Sequence, residues 1–267
     1  MTRKLIAFDI DGTLYTSDRK ILDSSLRVLR ELEEAGHYVT VATGRSYFTA
    51  QEALKELGVK NYILCNGAYA YENHELSHSF PIDKEELKEI VTLANEKNID
   101  ILYQTEREVK QQKEFREQSD RQKKVGYEHF KPSFDFDIDK EDAIYQAIMF
   151  CTADQEELFT PLLDKLRFTR WVSDGVDVVS KHGSKAETLK VIAKDKGIAE
   201  KDIVAFGDGE NDIEMLDLAG LGIVMGNASD LVKEHGDYIT KSNDKHGILH
   251  AAVEHGLVEK KKRRFFK

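Results

Sequence analysis

The sequence predicts an α/β protein, a parallel sheet with helices outside, interrupted by an inserted α+β segment. Three observations carry this. Short continuous apolar runs, Leu5–Phe8, Tyr38–Ala42, Tyr62–Cys65, Ile203–Phe206 and Gly222–Met225, alternate with helical patterns, as strands buried on both faces of a parallel sheet do. The alternation stops near residue 80 and resumes at Ser184. At 267 residues the chain can bury one large core or two smaller ones. The expected organisation is a core of residues 1–81 plus 183–267 and an insertion of 82–182. Its connections should be short, because only three prolines occur and none marks a linker.

The elements follow in order. Leu5–Phe8 runs into Asp9-Ile10-Asp11-Gly12-Thr13. Asp23 is expected to cap a helix whose apolar positions are Leu26, Leu29 and Leu32 and which ends at Gly36. Tyr38–Ala42 leads to Thr43-Gly44-Arg45, and a helix through Phe48, Ala53, Leu54 and Leu57 ends at Gly58. Tyr62–Cys65 leads to Asn66-Gly67. In the insertion, Asp83 and Glu86 make a capping-box-like start for a helix through Leu87, Ile90, Val91 and Ala94. Ile101–Tyr103 and Ile144–Phe150 read as strands. Between them, Glu106–Glu128 is polar with nearly balanced charge, and Glu106/Lys110 and Glu117/Arg121 stand at helical i,i+4 spacing. That stretch reads as a solvated helix or loop, with a binding surface as the alternative. A helix over about 155–166 and strands Phe168–Val172 and Val176–Val179 complete the insertion. Ser184 and Glu187 then form a capping-box pair opening a helix to Gly197. Ile203–Phe206 runs into Gly207-Asp208-Gly209-Glu210-Asn211-Asp212, a helix carries Ile213, Met215 and Leu216, and Gly222–Met225 and Tyr238–Ile239 are the last strands before a helix at Gly247–His255.

Composition excludes several classes. A net charge of −10 argues against general nucleic-acid binding, which needs a basic footprint. It leaves small anions open, since a local pocket can be positive or metal-filled. Cys65 and Cys151 lie far apart in apolar runs and read as reduced core residues in a cytoplasmic setting. The apolar run after Arg3 and Lys4 stops at Asp9, too short for a signal peptide. No run approaches the ~20 apolar residues of a membrane span. The basic tail Lys260–Lys267 reads as a solvated terminus, with an acidic partner or membrane surface as the alternative.

The chemistry lies at predicted strand ends. Asp9 and Asp11 follow one strand, Thr43-Gly44 a second, and Asp208, Asn211 and Asp212 a third, while Lys185 begins a helix beside the insertion. The crevice beyond the carboxyl ends of parallel strands is the usual ligand site. Gathered there, two acids can divide nucleophilic and proton-shuttling work. A carboxylate-rich oxygen set favours Mg²⁺ over zinc, and a lysine, a hydroxyl and glycine-flanked amides suit phosphoryl oxygens. Each piece alone has an ordinary reading. Asp-Gly-Thr and Thr-Gly-Arg are turn formers, Lys185 an exposed helix lysine, and 208–212 a capping cluster or a calcium loop that lacks the terminal glutamate. Their joint occurrence, in this order, favours the chemistry.

The four clusters resemble the motifs of the haloacid dehalogenase (HAD) superfamily, in particular its Cof-type subclass IIB phosphatases. Asp9-Ile10-Asp11-Gly12-Thr13-Leu14 is similar to the first motif, Ala42-Thr43-Gly44-Arg45 to the second, Lys185 to the third, and Gly207–Met215 to the fourth. His182-Gly183-Ser184 departs mildly from the usual lead-in to the lysine, which leaves His182 either near the substrate or an ordinary loop histidine. The resemblance implies a Rossmann-like HAD core with a type-IIB cap. It implies Asp9 as nucleophile and metal ligand, with Asp11 as acid/base and main-chain ligand. Ile10, Thr43, Gly44, Lys185 and Asn211 would bind phosphate, and Asp208 and Asp212 the metal. Asn66-Gly67 resembles a loop near the cap side of that site. The implied function is Mg²⁺-dependent hydrolysis of small phosphorylated metabolites, such as sugar phosphates, nucleotides or phosphorylated cofactors, through an aspartyl phosphate. A phosphomutase or a non-catalytic sensor on the same fold is the alternative. No nucleic-acid or membrane partner is expected, and oligomeric state leaves no mark in the sequence.

Overall fold

The computed structural model describes residues 2–112 and 133–259. Its strands are β1 (Leu5–Phe8), β2 (Tyr38–Ala42), β3 (Tyr62–Leu64), β4 (Tyr69–Glu72), β5 (Glu75–Ser79), β6 (Asp100–Gln104), β7 (Val109–Lys110), β8 (Gln146–Phe150), β9 (Leu166–Val172), β10 (Gly175–Ser180), β11 (Ile203–Gly207), β12 (Leu221–Val224) and β13 (Tyr238–Ile239). The chain divides into two compact units. One comprises Met1–Thr43, Ala53–Tyr62 and Leu189–Lys267, the other Gly44–Glu52 and Ile63–Thr188.

In the first unit β13, β12, β11, β1 and β2 lie side by side in that order, all parallel. Every residue of β1, β2 and β11 is buried, which is why these strands read as near-continuous apolar runs, with Thr40 of β2 the one polar residue. Phe8 and Phe206 stack with ring centroids 4.6 Å apart, locking β1 to β11 at the end where the chemistry follows. Helix Asp23–Glu34 buries Val28, Leu29 and Leu32. Its cap position is Leu22, not Asp23 as expected. Asp23 sits in the first turn instead, where a carboxylate still meets the positive end of the helix.

In the second unit β4 and β5 form an antiparallel hairpin that the sequence reading did not anticipate. Its turn residues Asn73 and His74 both have positive φ, 49° and 66°, without the glycine that usually announces such a turn. A separate sheet has the order β7-β6-β8-β10-β9, antiparallel throughout. Helix Lys84–Glu96 covers one face, its start capped by Asp83, which accepts from the N–H groups of Glu85 and Glu86 at 2.9 and 3.3 Å. Leu87, Ile90 and Val91 pack there with Tyr103, Met149 and Val178. The opposite face holds Leu102, Val109, Ile148 and Phe150.

Two expectations fail here for physical reasons. Glu106 and Lys110 are not helical neighbours, because Val109–Lys110 is a strand paired to β6. Burying Val109 against Leu102 and Ile148 is worth about 1.5–3 kcal/mol, against about 0.2–0.5 kcal/mol for an i,i+4 ion pair. Lys110 Nζ donates instead to Glu141 at 2.9 Å. The helix expected over 155–166 is a short one, Ala153–Glu156, followed by tighter turns over Glu157–Leu162. Pro161, with no N–H to give, ends regular helix bonding there. Glu117/Arg121 and the tail 260–267 lie outside the described residues. Among the described residues no helix is long and apolar enough to cross a membrane.

Candidate active site

The first unit builds its site at the carboxyl ends of β1 and β11. The β1 ladder continues one residue past the strand, since Asp9 N–H donates to Phe206 O at 3.0 Å. The chain then turns through Gly12 at φ 82°. Leu14 and Tyr15 N–H groups close the turn on Asp9 O and Ile10 O at 3.3 and 2.8 Å. On the other strand, Asp212 Oδ2 accepts from the N–H groups of Asp208 and Gly209, each at 2.9 Å, and so fixes the loop after β11.

These two turns bring carboxylates together across about 200 residues of sequence. Asp9, Asp208 and Asp212 each offer an oxygen, and the three oxygens lie within 4.8 Å of one another. Asp9 is 5% exposed and Asp212 fully buried. Asp208 is oriented by two further groups: Thr13 Oγ1 donates to its Oδ1 at 2.8 Å, and Asn227 Nδ2 to its Oδ2 at 3.2 Å. Asn227 Nδ2 also reaches Gly12 O at 2.9 Å, and its Oδ1 accepts from Asn243 N–H at 3.0 Å. Sequence reasoning passed over Asn227. Its one signal is its place just after β12, at the same end of the parallel sheet as the other clusters.

Gly12 is required on two counts. Its φ suits glycine, and a Cβ there would lie 2.0 Å from Asp208 Oδ2. Gly12→Ala is therefore expected to displace the Asp208 carboxylate, cost about 1–3 kcal/mol of stability and lower turnover by about a hundredfold. Thermal melting and a phosphatase assay would check this, and a variant with the parent's rate and melting point would contradict it.

The donor set fits a hard divalent cation. All three donors are carboxylate oxygens, two of them hardly exposed, and buried like charges in such a group call for a counter-charge. The Asp11 side chain is exposed and stands outside this group. Thr43, directly after β2, is buried, and Asn211 is half-buried in the loop that Asp212 fixes.

The other expected phosphate residues belong to the second unit. Gly44 opens it. Lys185 is the first residue of helix Lys185–Asp195, whose start Ser184 caps by accepting from Glu187 N–H at 3.1 Å. Lys185 is only 2% exposed, a burial that lysine reaches only when its ammonium is paired. His182 is an exposed loop residue. Cys65 and Cys151 are free and buried, and burial pushes the Cys65 thiol well up, so it is no nucleophile at neutral pH.

The haloacid dehalogenase-like hydrolase family matches residues 6–251 of the chain. YkrA of Bacillus subtilis (strain 168) is 32% identical over 262 residues, 97% of this chain and 100% of that protein. YcsE of the same organism, a 5-amino-6-(5-phospho-D-ribitylamino)uracil phosphatase, is 30% identical over 257 residues, 96% of each chain. Among solved structures, the HAD subclass IIB sugar phosphatase BT4131 matches with a TM-score of 0.83 at 28% identity, over 96% of this chain and 100% of that one.

Proposed function

Because the chain belongs to the haloacid dehalogenase-like hydrolases and is a phosphoric monoester hydrolase of the Cof type, we propose that it hydrolyses small phosphorylated metabolites through an aspartyl phosphate on Asp9, with Mg²⁺ as cofactor. The observation that carries the reading is the gathering of Asp9, Asp208 and Asp212 beyond neighbouring parallel strands.

An Asp9 carboxylate oxygen attacks phosphorus while the bond to the leaving oxygen breaks. Asp11 gives that oxygen its proton. Asp11 then takes a proton from water as the water oxygen attacks phosphorus, the bond to Asp9 breaks, and phosphate leaves. The Ile10 backbone N–H, Thr43, Gly44, Lys185 and Asn211 hold the phosphoryl oxygens as charge develops on them. Asp9, Asp208, Asp212 and the Asp11 carbonyl would hold Mg²⁺, which when bound offsets the charge of a phosphate approaching these carboxylates. Two free, buried cysteines agree with a reducing, cytoplasmic setting for this activity. The names of YcsE and BT4131 support sugar-like and polyol-bearing phosphates as the first compounds to try.

Selectivity we assign to residues 82–182 as a cap on the core of 1–81 plus 183–267. A hydrophobic cluster drawn from Ile82 to Val178 supports this reading, because it gives the segment a core of its own. None of the proposed catalytic residues falls within it, so its work is to exclude water and contact the leaving group. The test is a panel of phosphorylated sugars, nucleotides and cofactors, assayed for released phosphate. A short linker in place of 82–182 should leave weak, unselective hydrolysis of p-nitrophenyl phosphate. A shortened protein that kept the parent's preferences would contradict the assignment. Absence of hydrolysis across the panel by the intact protein would contradict the phosphatase reading itself.

A further inference from the structure

Directly after β3, Cys65, Asn66 and Gly67 have three consecutive positive φ values, 48°, 54° and 104°. Asn and Gly take this conformation readily, but cysteine does so at a cost. Strain of this kind persists only where the surroundings over-determine it. They do so here. Cys65 N–H donates to Arg45 O at 2.9 Å and its thiol to Gln104 Oε1 at 3.4 Å. Asn66 Nδ2 donates to Asp177 Oδ2 on β10 at 3.1 Å, and Gly67 O accepts from Thr188 Oγ1 at 2.7 Å.

The loop touches two of the segments assigned to phosphate. A Cβ built on Gly44 would stand 3.0 Å from Asn66 Oδ1 and 3.2 Å from its Nδ2, so the Asn66 amide lies directly against the Gly44 backbone. One built on Gly67 would stand 2.2 Å from the Ser184 carbonyl carbon and 2.7 Å from Lys185 N, so Gly67 packs on the start of the lysine's helix. Gly44 and Lys185 are far apart in sequence, and one short loop touches both, Gly44 through Asn66 and Lys185 through Gly67.

We propose that Asn66 is a positioning residue for the phosphoryl group. Anchored by Asp177, its amide holds the Gly44 backbone in place, and through Gly67 the same loop sets where Lys185 begins its helix. Asn66 acts through Gly44, not on the phosphate. The position demands asparagine: it must accept a left-handed backbone, donate to a carboxylate and stay small against Gly44. Aspartate lacks the donor, and glycine lacks the amide.

This inference rests on the phosphatase reading, and its test separates the two. Inorganic phosphate binding is measured by titration calorimetry in Mg²⁺, and KM and kcat with p-nitrophenyl phosphate. Asn66→Gly keeps the backbone conformation available and removes the side chain with its amide. It should raise the phosphate Kd and the KM together by about tenfold, the size of one lost charge-assisted hydrogen bond, with kcat changed less. Asp177→Asn keeps an oxygen acceptor for Asn66 and should stay within about threefold of the parent, whereas Asp177→Leu should match Asn66→Gly. Because both act along one path, the double variant Asn66→Gly/Asp177→Leu should be no worse than either alone. Parent-like phosphate binding by Asn66→Gly, or losses that multiply in the double variant, would overturn the positioning role alone. A parent protein that neither binds phosphate nor hydrolyses the ester would overturn the phosphatase reading and this inference with it.

Discussion

Asp9→Asn is expected to fold as the parent does and to lose turnover by roughly three orders of magnitude or more, the scale on which removal of a nucleophile acts. The substitution is nearly isosteric, and it leaves the bond from residue 9 N–H to Phe206 O in place. What changes is the reactive oxygen, since an amide is a far weaker nucleophile than a carboxylate. The same change relieves strain in the resting protein. Two unit charges 4.8 Å apart repel by about 3.5 kcal/mol at an effective dielectric near 20, and Asp9 faces both Asp208 and Asp212 at or inside that distance. In a chelator the variant should therefore melt no lower than the parent. Lost turnover with unimpaired melting is the signature of a group kept for chemistry at the expense of stability. Acid quenching of a reaction with labelled ester should trap label on the parent and none on the variant. Unimpaired hydrolysis by Asp9→Asn would remove the covalent route.

The second large effect is expected on removing divalent cation. With a chelator, hydrolysis should fall to background, because Asp9, Asp208 and Asp212 then confront an incoming phosphate with uncompensated negative charge. Excess Ca²⁺ should inhibit. It takes roughly 6–8 oxygens at ~2.3–2.6 Å, where Mg²⁺ demands six at ~2.0–2.1 Å, and the looser shell spoils the in-line approach of Asp9. A readout free of catalysis accompanies this: Mg²⁺ at a hundred times its Kd should stabilise the fold by about 2.7 kcal/mol. Asp208→Ala should abolish that shift. Full activity in the chelator, or a melting shift that survives in Asp208→Ala, would rule this cation site out.

The parts of fold and site that were legible share one property: their signal is local. β1, β2 and β11 are buried on both faces, so their sequences are near-continuous apolar runs that read directly. Asp9 and Asp208 were legible because each directly follows such a run or the glycine that ends it, and Asp212 because it lies in the same short polar loop after β11. What stayed hidden depends on partners elsewhere in the chain. The exposed strand Glu75–Ser79 has no buried face to impose alternation. Val109 is a strand residue because of Leu102 and Ile148, while the charges beside it suggested a helix. Asp177 sits within a run of valines, and only its bond to Asn66 sets it apart. Asn227 is an unremarked asparagine after a strand until Gly12 and Asp208 are seen beside it.

The pairing of β1 with β11 also bears on how the protein is made. Leu5 pairs with Ile203, so about 200 residues must leave the ribosome before the strand that carries Asp9 meets its partner. At roughly 5–20 residues per second that is on the order of 10–40 s. In this interval Ile82–Val178 can already close its own cluster, while β1 has β2 on one side and its other edge unsatisfied. The acidic site thus assembles late, after Asn227 and Asn243 emerge to hold Asp208 and the turn at Gly12. The three carboxylates of that site therefore cannot take up the arrangement seen in the folded protein until nearly all of the described residues have been translated.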